Sequence, residues 1–259
     1  MSSRIRAALS ALLALPMLCG LAGAQSIGYQ LQLYPEYRLE RFQLPDTHLA
    51  EAIGTPAADE IFALAHDPVS GELLAATASG ALGRLDPDTA GWTQIATIVG
   101  AGGTVTGLAT LGGSAPLYLM TSDGGSSYLF TLDRSSGASQ LVGTFSGRLY
   151  VDIAIDATGQ LFAHCMLTDS LYRLSTTGME TLIGPTGIDA NYAQGMDFDR
   201  GSGELYAWIY SNSVSATLFS RLDTSTGAAT VLQTLAGEFE GVLTAPLTRI
   251  FADGFEDAP

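Results

Sequence analysis

The sequence repeats with a fixed period. Leu73, Leu117, Leu161 and Leu205 each begin the second of four apolar runs, and consecutive members are 44 residues apart. The runs are rich in Val, Ile, Leu, Tyr and Phe and are bounded by Gly, Asp, Ser or Thr, which is typical of β-strands joined by short turns. A period of this length with four strands per repeat indicates the blade of a β-propeller. We therefore predict an all-β fold.

The two ends of the chain supply the parts of a fifth blade, beside four complete copies between residues 60 and 235. Residues 27–54 contain runs that match the second, third and fourth strands of the other copies, and residues 239–247 match a first strand alone. An open ring would leave sheet edges and apolar faces unpaired. We predict five four-stranded blades, closed by pairing the C-terminal strand beside residues 29–33. The alternatives are an open arc and a ring completed by another chain.

The first 24 residues have the features of a secretory signal peptide. Arg4 and Arg6 form a positive n-region, residues 7–21 are largely apolar, and Ala22-Gly23-Ala24 fits a small-residue cleavage site. The apolar run is shorter than the ~20 residues that a membrane-spanning helix needs. We expect residues 1–24 to be removed, and the mature chain to be exported, without a transmembrane segment.

The charge balance is strongly acidic. Eleven basic residues, all arginine, oppose 26 acidic ones, for a net charge of −15. Loss of Arg4 and Arg6 with the signal peptide removes two positive charges and leaves −17. This balance argues against nucleic acid and anionic membrane surfaces as partners. It suits a soluble exported protein or one that binds cations.

The two cysteines exclude an intrachain disulfide after export. Cys19 leaves with the signal peptide, and Cys165 remains alone. Core burial must therefore supply the stability of the domain. A lipoprotein anchored through Cys19 is the alternative, although Leu18 stands where such signals carry a small residue.

The connections between strands are of two kinds. First-to-second and third-to-fourth turns, such as DRGSGE and DRSSGA, start with Asp and carry Gly near the end. Asp caps such a turn by accepting backbone N–H groups, and Gly supplies a positive φ. The other connections, such as PTGIDANY and CMLTDS, are irregular and share the opposite face of a four-stranded meander. A rigid scaffold usually binds its ligand through the variable loops.

Two phrases, LYRLSTTGMETLIGPTG and FSRLDTSTGAATVLQTL, resemble the repeats of bacterial secreted β-propellers of the broad NHL, YVTN and SMP-30-like group. The resemblance covers roughly residues 27–247 and implies one propeller domain over residues 25–247. It implies no particular ligand, because propellers include binding modules, scaffolds, lactonases and other hydrolases.

The last twelve residues, 248–259, are separate from the repeats. They contain IFADGFEDAP, which resembles the IF-x-DGFE terminal motif of exported Gram-negative proteins. That resemblance implies a sorting or export tag, and it implies that the exported chain lies in the periplasm or the exterior of a Gram-negative bacterium. The alternative for the tail is a frayed terminus.

Acidic and amide side chains gather at or just before the first strands, on the irregular face. Because first strands surround the central channel, we expect these side chains to converge at its mouth. Their oxygens would suit Ca²⁺ or another divalent cation, and SMP-30-like enzymes hold a metal with a related set of Glu, Asn and Asp. The alternative is a solvated acidic rim. An arginine and two tyrosines nearby add groups that suit a sugar or a peptide. The candidate ligand-binding residues are Asp59, Glu60, Arg148, Tyr150, Asp152, Asp189, Asn191, Tyr192 and Glu240.

The sequence contains no HExxH, GxSxG or P-loop pattern, and we assign no catalytic residue. We predict a monomeric, non-catalytic exported propeller that needs no cofactor and binds a protein, peptide or carbohydrate through its irregular face. One alternative is a metal-dependent, lactonase-like hydrolase with a cation held by Glu60, Asp152 and Glu240. The other is a structural module of an envelope or surface assembly.

Overall fold

The fold is built from five four-stranded antiparallel sheets. The structure, a computed structural model, describes residues 26–244. The predicted signal peptide and the predicted tail both lie outside the described residues, as do residue 25 and residues 245–247 of the predicted domain. No helix in the described part of the chain is long and apolar enough to cross a membrane.

Each sheet is one blade, and its first strand in the meander lies innermost. The strands are β1 Ile27–Tyr34, β2 Arg38–Gln43, β3 Asp46–Gly54, β4 Ile61–His66, β5 Leu73–Thr77, β6 Ala81–Leu85, β7 Trp92–Thr97, β8 Thr104–Thr110, β9 Leu117–Ser122, β10 Ser126–Leu132, β11 Ser139–Ser146, β12 Tyr150–Ile155, β13 Leu161–Cys165, β14 Ser170–Leu174, β15 Glu180–Pro185, β16 Ala190–Phe198, β17 Leu205–Ser211, β18 Ala216–Leu222, β19 Ala229–Leu235 and β20 Glu238–Leu243. Blade 1 has the order β20-β1-β2-β3, and blades 2 to 5 are β4–β7, β8–β11, β12–β15 and β16–β19.

Blade 1 closes the ring with both ends of the chain. β20 runs antiparallel to β1, with Val242 opposite Tyr29 and Glu240 opposite Leu31. Just after β20, the backbone N–H of Thr244 donates to the carbonyl of Ile27 at 2.8 Å. The five-bladed fold and its closure by the terminal strands are therefore confirmed.

Burial explains the apolar runs that define the repeat. The second strands β5, β9 and β13 are buried along their whole length, whereas the outer strands β7, β11, β15 and β19 are largely accessible. An inner or second strand packs against the next blade on each of its two faces, so both sets of side chains must be apolar or internally bonded. An outer strand has water on its edge and can remain polar.

The regular turns have the predicted chemistry. In the third-to-fourth turn of blade 3, Asp133 Oδ1 accepts the N–H groups of Ser135 and Ser136 at 3.1 and 2.8 Å, and Gly137 has φ +72°. The equivalent position in blade 2 is Ala90, which adopts φ +59° without a glycine. These turns all lie on the face opposite the irregular loops.

Glycines let the inner strands approach one another closely. A Cβ on Gly107 would lie 2.6 Å from Asp152 Oδ1 of blade 4. A Cβ on Gly195 of blade 5 would lie 3.0 Å from the carbonyl carbon of Glu240 in blade 1 and nearer still to Gly241 N. A Cβ on Gly241 would overlap the ring of Trp208. Only glycine fits where backbones meet this closely.

The contact between blades 5 and 1 is aromatic. Trp208, which is fully buried, lies 4.9 Å from Phe219 and 6.0 Å from Phe42, measured between ring centroids. The indole N–H of Trp208 donates to Gln30 Oε1 at 3.0 Å. Large aromatic area at this contact stabilises the junction between the two ends of the chain.

Candidate functional site

A cavity of about 590 Å³ opens on the irregular face, at the mouth of the central channel. We call it the mouth cavity. All five blades line it, through Leu33, Tyr34, Glu238 and Glu240 of blade 1, Glu60 and Phe62 at the start of blade 2, Gly103, Thr104, Val105, Thr106, Ser122, Asp123 and Gly124 of blade 3, Leu149 and Val151 of blade 4, and Tyr192 and Gln194 of blade 5.

The rim of the mouth cavity carries accessible aromatic rings. Tyr34 at the end of β1 and Tyr192 in β16 are each 65% exposed, which is high for tyrosine in a folded domain. The half-buried Phe62 also reaches the cavity. Deeper in, Leu149 and Val151 are almost fully buried and supply apolar surface. The cavity therefore combines stacking surfaces at its entrance with an apolar lining inside.

Four carboxylates line the same cavity: Glu60, Asp123, Glu238 and Glu240. None of them takes part in an ion pair among the described residues, and the lining contains no arginine or histidine. The Tyr128 hydroxyl donates to Asp123 at 2.7 Å and, together with two loop N–H groups, lowers the pKa of that carboxyl. The mouth cavity is therefore lined by acidic groups without a basic counterpart.

Three acids, the buried Asp152 and Glu240 and the half-buried Asp197, connect three of the five inner strands to the next blade, and we call them the carboxylate clasp. Asp152 accepts the N–H of Met196 in blade 5. Asp197 accepts the N–H of Leu243 in blade 1 at 3.0 Å. Glu240 accepts the N–H of Leu64 in blade 2 at 3.3 Å. In this way the clasp satisfies backbone donors that the inner strands leave unpaired.

Burial makes the clasp hard to ionise. It raises the pKa of Asp152 and of Glu240 well above the ordinary carboxyl range, and repulsion between the clasp carboxylates raises both further. Burial raises the pKa of Asp197 to about 6, although Arg200 nearby works in the opposite direction. Desolvation disfavours the charged form of each acid, so each of these carboxyls keeps its proton to a higher pH than an exposed carboxyl does.

A buried histidine stands behind the cavity wall. His164 Nδ1 donates to Gln194 Oε1, because an amide oxygen can only accept. Gln194 in turn donates from Nε2 to the carbonyl of Asn191. Burial lowers the pKa of His164, so the ring is neutral, and its Nε2 has no hydrogen-bond partner among the described residues. The histidine positions Gln194 from behind and does not line the cavity.

The opposite end of the channel is crossed by an arginine. Arg200, in the turn after β16, donates from Nη2 to the carbonyl of Thr110 in blade 3 at 3.2 Å. Blades 5 and 3 both neighbour blade 4, so this bond spans the channel end.

The structure brings together some of the predicted site residues. Glu60, Tyr192 and Glu240 line the mouth cavity, and Asp152 lies in the clasp. Asp189 and Asn191 lie on the irregular face but bond to the β17–β18 loop: Asn212 donates to Asp189 at 3.2 Å and accepts from Asn191 at 2.9 Å. Asp59 is exposed and accepts from the Ser79 hydroxyl at 3.1 Å.

Arg148 and Tyr150 are not placed as the sequence predicted. Tyr150 is fully buried, packs edge-on against Tyr172 and donates its hydroxyl to Glu180. Arg148 pairs with Glu180 at 2.9 Å and lies over the Tyr172 ring. The cause is a β-bulge between Tyr150 and Asp152, which breaks the alternation of side chains and turns Tyr150 toward blade 3.

Sequence reasoning missed several residues of the cavity, and the strongest omissions are Tyr34, Phe62, Asp123 and Gln194. The sequence could have indicated Tyr34 and Asp123, because Tyr34 ends the second strand of blade 1 and Asp123 follows the second strand of blade 3. The loops after second strands lie on the irregular face, as do the entries to first strands. No signal in the sequence marks Phe62, whose direction depends on the bulge between Ile61 and Ala63.

No three His, Cys, Asp or Glu side chains within residues 26–244 come together closely enough to hold a metal ion. The clasp carboxylates lie on three different blades and are each occupied by a backbone N–H.

No family model matches the sequence, and no curated protein matches it. Solved structures do match. A chain from a nidogen–laminin complex aligns over 86% of this chain and 99% of its own length, with a TM-score of 0.54 and 13% identity. The PQQ-bound aldose sugar dehydrogenase of Streptomyces coelicolor aligns over 70% of this chain and 69% of its own, with a TM-score of 0.52 and 14% identity.

A third solved structure, a protein of unknown function from Bacteroides thetaiotaomicron, aligns over 78% of this chain and 57% of its own length, with a TM-score of 0.51 and 11% identity. At such low identity these similarities show the fold alone, which is that of a β-propeller. The fold does not define the activity, since the matched proteins include a component of a protein complex and a dehydrogenase.

Proposed function

We propose that this protein is a binding protein that holds its ligand in the mouth cavity. The observation that carries the proposal is the cavity itself, about 590 Å³ in volume and lined by all five blades. Sites for small molecules typically measure roughly 300–1,000 Å³ and combine apolar surface with a few polar groups. The ring holds this lining rigidly, which lowers the entropy lost on binding.

The state of the polar groups in the channel supports binding without chemistry. Asp152 and Asp197 accept backbone N–H groups of neighbouring blades. His164 is hydrogen-bonded to Gln194 and lies behind the cavity lining. A general base must reach the proton that it removes. These buried groups instead connect the blades, and the accessible groups at the rim are tyrosines and carboxylates, which recognise a ligand.

The experiment is a ligand-observed NMR screen with a defined library of amines, carboxylates, sugars and short peptides. We expect hits that weaken in the double variant Tyr34→Ala/Tyr192→Ala, since both rings are exposed at the rim. Val69→Ala is the matched control, because Val69 is 72% exposed on the opposite face. A screen without hits, or hits that bind both variants equally, would refute a binding role for the mouth cavity.

We also propose that the protein is exported through its N-terminal segment. The charged start, the apolar run and Ala22-Gly23-Ala24 support this. N-terminal sequencing of the protein from the periplasm or medium of a Gram-negative host should begin at Gln25. A chain that starts at a lipidated Cys19, or that keeps residues 1–24, contradicts the proposal.

A further inference from the structure

We propose that the mouth cavity takes a small organic cation, an amine or quaternary ammonium group carried on an apolar body. The inference rests on the proposed binding function and names the class of its ligand. The electrostatic character of the lining, one uncompensated buried acid and the arrangement of aromatic rings support it independently.

The lining carries negative charge without any positive counterpart. Glu238 and Glu240 come from blade 1, Glu60 lies at the start of blade 2, and Asp123 lies in a loop of blade 3. Every arginine ion pair in the described part of the chain is made elsewhere. A cleft lined by one sign of charge concentrates ligands of the opposite sign.

Glu240 is the acid that most requires a counter-charge. It is 1% exposed, yet it lines the cavity, and the Leu64 N–H that it accepts is a long bond at 3.3 Å. The charged groups around it are Asp152 from β12 and Asp197 from β16 on the protein side, with Glu60 across the cavity. All are acidic. Arg200 acts on Asp197.

Glu240 has backbone N–H partners but no cationic one, and a buried carboxylate without a counter-charge is costly, so it either takes up a proton or binds a cation. A neutral ligand such as a sugar would leave Glu240 in its present state. An anion would add repulsion. An organic cation in the cavity would pair with Glu240 and stabilise its ionised form.

The remaining lining suits the rest of such a ligand. Tyr34, Tyr192 and Phe62 present aromatic rings, which attract cations over their faces. Leu149 and Val151 supply buried apolar surface for a hydrocarbon body. A hard metal ion would instead need about six to eight converging oxygens, and within residues 26–244 no three His, Cys, Asp or Glu side chains come close enough to anchor one.

This arrangement links binding to protonation. Burial raises the pKa of Glu240 in the empty cavity, and repulsion from Asp152 raises it further. A bound cation favours the ionised carboxylate and lowers that pKa again. At a pH between the pKa of Glu240 in the empty cavity and its lower pKa in the occupied cavity, binding of the cation must release a proton from Glu240 to the buffer. A neutral ligand would not release it.

The test is isothermal titration of the mature protein with 4-phenylbutylamine and its neutral counterpart 4-phenylbutanol, near pH 6 in two buffers of different ionisation enthalpy. We expect the amine to bind at least about tenfold more tightly than the alcohol, the ratio for about one charge-assisted hydrogen bond. Only the amine should release protons.

Variants then locate the effect. Glu240→Gln should weaken amine binding about tenfold and abolish proton release, and Glu60→Gln, at an exposed site without side-chain bonds, should weaken it severalfold without affecting folding. Glu51→Gln, an exposed acid on the outer strand β3, is the control and should change neither. If Glu240→Gln fails to fold, Glu60→Gln carries the test.

The outcomes separate this inference from the proposed function. Equal affinity for amine and alcohol, or an amine affinity unchanged by Glu60→Gln and Glu240→Gln, overturns the cation inference. If amines fail while sugars or carboxylates bind at Tyr34 and Tyr192, the inference is wrong and the binding function stands. If no probe binds at the mouth cavity, both are wrong.

Discussion

Substitution of Gly195 by alanine should break a tight approach between two blades. Gly195 lies in β16 of blade 5, and a Cβ there would stand 3.0 Å from the carbonyl carbon of Glu240 and nearer still to Gly241 N. Both obstacles are backbone atoms of β20, so no side chain can rotate away. The methyl group must push blade 1 from blade 5 at the place where the chain ends close the ring.

The expected cost follows from the kind of overlap. Overpacking costs about 1–3 kcal/mol when neighbours can adjust, and more when they cannot. Because the strand opposite is also held by the Asp197 bond to Leu243, we expect about 3 kcal/mol. For a domain of this size, 1 kcal/mol lowers the Tm by about 2–4 °C, so the Tm should fall by about 6–12 °C.

Gly102→Ala is the matched control. A Cβ added to Gly102 would meet no heavy atom within 4 Å, and this glycine does not have a positive φ. Each alanine reduces the conformational entropy of the unfolded chain equally, which stabilises both variants by about 0.4–1 kcal/mol. The difference in stability between the two variants therefore reports the overlap alone. Thermal unfolding followed by circular dichroism measures it. Equal melting of the two variants, within about 2 °C, would refute the close approach of β16 and β20.

Three further expectations concern closure, the aromatic junction and the clasp. A mature chain ending at Gly237 loses β20 and should lose cooperative unfolding, whereas one ending at residue 249 should keep it; equal Tm values would contradict closure by the termini. Trp208→Phe removes the N–H bond to Gln30 and should cost about 1–3 kcal/mol in urea unfolding, and an unchanged midpoint would contradict that role. Asp197 has a pKa of about 6 when folded against an ordinary 3.8, so its buried charge destabilises the fold above about pH 6 and not below 3.8. The stability advantage of Asp197→Asn over the native chain should therefore shrink from about pH 7 to about pH 4, and a constant difference would contradict the raised pKa.

The architecture was predictable because its information is periodic. The 44-residue spacing of Leu73, Leu117, Leu161 and Leu205 places the second strand of blades 2 to 5, and β5, β9 and β13 are buried on both faces. Closure was predictable because the N-terminal copy lacks one run and the C-terminal segment supplies one. For both the blades and the closure of the ring, the apolar faces of the strands must be buried, and few arrangements of the strands achieve this.

The site was only partly predictable, because side-chain direction in a strand depends on single residues. One extra residue between Tyr150 and Asp152 sends the tyrosine into the core and the aspartate to the next blade, and the sequence contains no mark of that bulge. Glu60 and Tyr192 were predictable because they stand at the entries to first strands.

Glu240 belongs both to the carboxylate clasp and to the mouth cavity, and this double role joins structure to binding. Its bond to Leu64 helps to hold blade 1 to blade 2, and its carboxyl group also lines the ligand site. Substitution of an acid at the channel therefore has different effects at different positions. Exposed Glu60 contributes charge alone, whereas Asp152 satisfies the N–H groups of Ile153 and Met196 in the interior. A glutamine or asparagine has one acceptor oxygen where the acid has two, so the same change relieves charge repulsion and removes a backbone partner. At Glu60 only the first effect exists, and this makes it the position where binding can be tested apart from stability.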